Sequence, residues 1–189
     1  MLIWLIIILN LLICAWDSYA AGFLWSAAKN KFDKLISACA ITIGAVGMLY
    51  TIILIGVAVG ILGGEFLIGT NVILGLPIIA AGIVITIHGW HQAIKNRSFL
   101  GGAISVWNTF AIIHDIRVWI KSFEVFKDIG IGGMFKSNED SKGKVALFVI
   151  LAVVITALIS VGLFNAGRRK EMELSNISNL KVGVESSNK

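Results

Sequence analysis

The chain has 189 residues, 57% of them hydrophobic and only 14% charged, with a single Pro and a formal net charge of +5. Soluble domains carry about 25% charged residues, and here the apolar residues come in blocks of spanning length, which excludes a water-soluble core and points to an all-α integral membrane protein. Lys and Arg sit in short loops beside those blocks, a topology signal rather than a nucleic-acid footprint, so the expected partner is the lipid bilayer and no nucleic acid.

The first block, about 2–25, lies in a stretch from Met1 to Ala28 with no Lys, Arg, His or Glu, and Asp17 is its one ionisable side chain. From Trp4 to Trp25 a helix rises about 31 Å, matching a hydrocarbon core of about 30 Å with a Trp at each interface. Asp17 therefore falls inside the membrane, on one helical face with Asn10 and Cys14. "LLIC" lacks a basic segment before it and has bulky Ile13 ahead of the Cys, so an uncleaved first span is expected. Cys14 and Cys39 read as small buried hydrophobes; with no C-x-x-C pair, neither a disulfide framework nor a zinc site is expected.

The basic loop "KNKFDK" (Lys29 to Lys34) leads into a second span, about 35–62. Its Gly56, Gly60 and Gly64 form a G-x-x-x-G-x-x-x-G stripe, the kind that lets helix backbones approach closely in lipid. "GGE" (Gly63 to Glu65) suits a tight interfacial turn. The third span, about 66–90, carries Gly75, Gly82 and Gly89 at seven-residue spacing, with Asn71 one turn earlier. The loops at 29–34 and 91–97 are both basic. The positive-inside tendency puts them in the cytoplasm, the N-terminus outside, and the chain in the plasma membrane.

Residues 99–128 are apolar early and amphipathic late. His114, Arg117, Lys121, Glu124 and Asp128 recur at steps of three and four, one face about 80° wide. The reading is an amphipathic helix lying in the interface, about 103–128. The alternative is a fifth span at 99–120, which would bury His114, Asp115 and Arg117 at a cost. The linker from Gly130 to Lys144 is flexible by composition, and its glycines lack phosphate-cradling spacing. A further span follows at 145–167, with Ala152, Thr156 and Ser160 as a small-residue stripe. The architecture is thus four transmembrane helices plus an amphipathic interfacial helix, with five transmembrane helices as the alternative. Residues 1–167 form one membrane domain and 168–189 a polar, mobile tail. Four spans leave the basic "RRK" (Arg168 to Lys170) outside, which counts against that arrangement.

"ICAWDSYA" (Ile13 to Ala20) is echoed by "ISVWNTFA" (Ile104 to Ala111). If the echo is a true repeat, Asp17 corresponds to Asn108, and the shared property is hydrogen bonding rather than charge. His88 and His91 lie three apart on one face. With His114 they form a candidate metal set, against the plainer reading of interfacial histidines.

No nucleophile sits beside a base, so neither an enzyme nor a cofactor is expected. The leading expectation is a structural or accessory subunit of a membrane assembly, a homo-oligomer or a companion of other membrane subunits. One rival is a small channel or transporter using Asn10, Asp17, Asn71, His88 and Asn108, since an ionisable group inside a membrane is a functional-site hypothesis by default. The other is a metalloprotein using His88, His91 and His114.

Overall fold

Inside a bilayer every backbone N–H and C=O must be bonded within its own segment, and each apolar block accordingly folds as one long helix. The structure is a computed structural model that describes residues 2–135 and 142–187, with side chains described at 3–135 and 142–178. The helices are α1 (Leu2–Ala27), α2 (Lys31–Ala58), α3 (Gly64–Lys95), α4 (Phe99–Met134) and α5 (Lys142–Ser187). All five are long and apolar enough to cross a membrane, and no strand occurs among the described residues. The protein is an all-α membrane protein whose outward faces are apolar, with Leu12, Ile87 and Leu158 all largely exposed.

Local chemistry sets the helix ends. The Asn30 side chain accepts from the Asp33 amide at 2.9 Å, and the Asp33 carboxylate accepts from the Lys29 amide at 3.0 Å, so α2 begins with its free N–H groups partly satisfied. Ser98 caps α4 in the same way, accepting from the Gly101 amide at 3.0 Å. At the C-terminal end of α1, the Lys34 ammonium lies 5.5 Å from the centroid of the Trp25 ring.

Three features differ from the sequence expectation. First, α2 stops at Ala58 instead of running to 62. Gly60 takes a left-handed φ of 76°, and the amides of Ile61 and Leu62 both return to the Gly56 carbonyl, at 2.8 and 3.0 Å. Second, the helix expected to lie alone in the interface is the body of α4. It packs lengthwise against α3, Ser105 near Gly89, Ile112 near Gly82 and Trp119 near Gly75. It continues past 128 to a break at Gly130 (φ 63°, ψ 179°), after which one more turn folds Met134 into a cluster with Ile53, Leu62, Phe66 and Val145. Third, α5 continues through the expected tail to Ser187. Beyond the apolar block it is supported by exposed helix-forming residues and a Lys170–Glu173 ion pair at 3.1 Å, one turn apart. The linker positions 136–141 lie outside the described residues.

α1 packs on α2 and α5, α2 also on α3 and α5, and α4 on α3. The bundle is therefore two hairpin-like pairs, α1–α2 and α3–α4, joined along α2 and α3, with α5 behind the first pair.

Candidate functional site

In lipid, apolar side chains gain little by leaving their surroundings, so helices associate through close backbone approach and interhelical hydrogen bonds. Both operate here. A Cβ at Gly44 would stand 2.7 Å from the Ser18 amide nitrogen and 2.8 Å from the Cys14 carbonyl oxygen. α1 and α2 therefore touch backbone to backbone at that point. Gly22 lies directly under the Phe164 carbonyl and Gly167 under that of Tyr19, which joins α1 to α5 in the same manner. Spacing alone did not single out these three glycines, because none belongs to a G-x-x-x-G pair.

The glycine stripes proposed from spacing divide. Gly75, Gly82 and Gly89 all face α4, where an added Cβ would stand 2.8 Å from Trp119, 3.2 Å from Ile112 and 2.9 Å from Ser105. Gly56 packs under the Phe148 ring of α5. A Cβ added at Gly60 or Gly64 would meet nothing within 4 Å: one forms the turn after α2 and the other starts α3. The apparent three-glycine stripe is therefore one packing glycine followed by turn chemistry. Ala152, Thr156 and Ser160 are all buried on α5.

Hydrogen bonds tie each pair at specific heights. The Asn10 amide nitrogen donates to the Thr51 hydroxyl, and Thr51 donates to the Gly47 carbonyl at 2.8 Å. Ser37 of α2 donates to the Ala21 carbonyl of α1 at 2.6 Å. Between α3 and α4, Asn71 donates through its amide nitrogen to Ser122 at 2.8 Å, and the Trp119 indole donates to the Val72 carbonyl at 2.9 Å. Toward the C-terminal end of α3, the Trp90 indole donates to Thr109 at 3.1 Å.

Between the two pairs lies a cavity of about 310 Å³, well inside the helix ends. Its polar lining comes from four helices: Asn10 and Asp17 of α1, Tyr50 of α2, Asn71 of α3, and His114 and Asp115 of α4. Asn10, Asp17 and Asn71, singled out as polar residues in apolar runs, thus meet in one space. Tyr50 and Asp115 join them unannounced. Asp115 lies about 100° around α4 from His114, off the charged stripe that dominates this helix in the sequence. Among the described residues the Asp17 carboxylate has no hydrogen-bond or ion-pair partner, whereas Asp115 lies 3.6 Å from the His114 ring nitrogen Nδ1. Pro77 of α3 stands beside the cavity wall at Gly75 and Ile78, where its missing N–H leaves the Ile73 carbonyl without a helical donor.

Asn108 and His88 do not line this cavity. His88 packs against the Phe32 ring, centroids 5.6 Å apart, and its buried Nδ1 has no partner. Among the described residues no three His, Cys, Asp or Glu side chains come together as a metal-binding group, so His88, His91 and His114 do not form the triad considered above. The reason is placement: His114 lines the cavity, while His88 and His91 sit near the C-terminal end of α3.

The two echoed octapeptides share a local structure. Trp16 and Trp107 both point outward, 67% and 74% exposed. Ser18 donates to the Cys14 carbonyl four residues back, and Thr109 donates to that of Ser105, the matching position. Cys14 lies against Gly47, and Ser105 against Gly89. Asp17 and Asn108 diverge, since only Asp17 reaches the cavity.

Comparison with protein-family models, with curated protein sequences and with solved structures finds no match to this chain.

Proposed function

We propose that this chain is a small solute-binding membrane protein, a carrier or channel, whose working part is the polar cavity between the α1–α2 and α3–α4 pairs. The observation that carries this reading is the convergence of Asn10, Asp17, Tyr50, Asn71, His114 and Asp115 from four helices on one space of about 310 Å³. Polar and ionisable groups are expensive in a bilayer and are retained where they serve a path or a ligand. The volume is at the lower end for small-molecule sites, about 300–1,000 Å³.

The reading takes all five helices as spans. α4 runs lengthwise along α3, and five spans with the N-terminus outside bring Arg168, Arg169 and Lys170 to the cytoplasmic side of what we take to be the plasma membrane. Reconstitution into liposomes tests the function: flux of small polar solutes above protein-free vesicles is expected, and Asp17→Ala should reduce it. No flux for any solute tested, or flux unchanged by Asp17→Ala, counts against the reading.

A second reading, a structural or accessory subunit acting as an oligomer, is favoured by one observation. Arg117, Lys121, Glu124 and Asp128 are exposed on α4 on the side away from the residues that meet the glycines of α3. A charged stripe on a spanning helix needs protein or water against it. The mass of the purified protein in detergent tests this, and a monomer with no companion chain would speak against it.

A further inference from the structure

The cavity lining is rich in hydrogen-bond acceptors. Thr51 spends its single proton on the Gly47 carbonyl, so toward Asn10 it can only accept. The Asn10 amide must therefore turn its nitrogen to Thr51, which leaves its Oδ1 as an acceptor with no donor among the described residues. Asn71 also donates through its nitrogen, to Ser122, and its Oδ1 has no donor among the described residues. The Asp17 carboxylate adds two further acceptor oxygens with no partner, and Asp115 adds a second carboxylate. Among the described residues no Lys or Arg lines the space, and His114 is held 3.6 Å from Asp115. A donor-bearing cation is the natural complement of such acceptors, above all of a carboxylate with no ion-pair partner among the described residues.

A bare metal ion is a poor match, because the acceptors are spread around a cavity of about 310 Å³ and no three metal-ligating side chains converge among the described residues. The remaining wall is aliphatic, from Ile13, Ile43, Ile78, Ile79 and Val118. That combination suits an ammonium head with an apolar body, and Tyr50 adds an aromatic face that attracts cations.

We propose that the cavity binds a small organic cation, a protonated primary amine with an apolar body, its ammonium paired with the Asp17 carboxylate. This rests on the reading of the cavity as a solute site and names the class of solute.

The test is equilibrium titration of the full chain in lipid nanodiscs, with empty nanodiscs as reference, against four compounds of one shape: cyclohexylammonium, cyclohexanol, cyclohexanecarboxylate and N,N,N-trimethylcyclohexylammonium. The first should bind at least tenfold more tightly than the alcohol and the acid. It should also bind more tightly than the trimethyl compound, which keeps the charge and lacks N–H donors. Asp17→Asn, which preserves shape and is checked for native elution and melting, should weaken cyclohexylammonium at least tenfold. Equal binding of ammonium and alcohol, preference for the carboxylate, or unchanged affinity in a folded Asp17→Asn variant would overturn the proposal. If the alcohol or acid binds and Ile78→Trp abolishes it, the cavity is a solute site of another class. If no compound binds and no solute crosses liposomes, the site reading itself fails.

Discussion

Asn10 of α1 and Thr51 of α2 form a directed chain: the amide nitrogen donates to the hydroxyl, and the hydroxyl donates to the Gly47 carbonyl. This fixes both the contact between the two helices and the face that Asn10 leaves to the cavity. Thr51→Val keeps the shape and removes both bonds. Interhelical hydrogen bonds in membranes contribute about 0.6 kcal/mol on average, at most about 1.7. The expected loss is therefore about 1 kcal/mol, read as a lowered melting temperature in detergent, with Thr51→Ser close to the parent. A Val variant as stable as the parent would show that the contact holds nothing.

Glycine substitutions should separate packing from turn. At Gly44 an added methyl would stand 2.7 Å from the Ser18 nitrogen and 2.8 Å from the Cys14 carbonyl oxygen, where neither neighbour is a flexible tip. Gly44→Ala should cost about 1–3 kcal/mol, the range for overpacking a fitted contact. Gly64 meets nothing within 4 Å and already begins a helix, so Gly64→Ala should be within about 0.5 kcal/mol of the parent. Thermal unfolding of both variants side by side checks the contrast, and equal losses would refute it.

These contrasts also show what the sequence could and could not reveal. Asn10, Asp17 and Asn71 stood out because a polar side chain in an apolar run is costly, and the helical period put Asn10 and Asp17 on one face. The approach of Gly22 and Gly167 to the backbones of Phe164 and Tyr19 was not legible, since such contacts depend on which helix lies opposite. Gly60 and Gly64 misled because a turn and a packing seam can share one spacing. α4 misled in a different way. Its charged stripe at His114 to Asp128 dominates the pattern and suggests an interfacial helix, whereas Trp119, Ile112 and Ser105, on another side, fit the glycines of α3.

Asp17 should tolerate loss of charge for folding. Its carboxylate has no partner among the described residues, so Asp17→Asn retains a polar group of the same size facing the cavity. The Asn variant should elute and melt like the parent, within about 0.5 kcal/mol. Asp17→Leu places a branched apolar chain against the polar lining and should reduce the folded yield. If Asn fails as badly as Leu, the charge itself supports the fold.

The proposed spanning of α4 has a direct topological consequence. Asn96 precedes α4 and Gly132 lies beyond its break at Gly130. Single cysteines at these two positions, in a chain with Cys14 and Cys39 replaced, should react with a membrane-impermeant reagent from opposite sides. Reaction of both from the same side would return α4 to the interface.

The central claim is that a polar, water-accessible cavity lies at mid-depth between the two helix pairs. Ile78 lines it, while Ile87, about two and a half turns along the same helix, is 65% exposed on the outside of the bundle. With native cysteines replaced, Ile78→Cys and Ile87→Cys can be compared for their rate of reaction with a small cationic methanethiosulfonate in reconstituted membranes. Water and the cationic reagent reach a polar cavity and avoid hydrocarbon, so Ile78→Cys should react at least tenfold faster, and Asp17→Asn should slow it. Equal, slow rates at both positions would contradict the account.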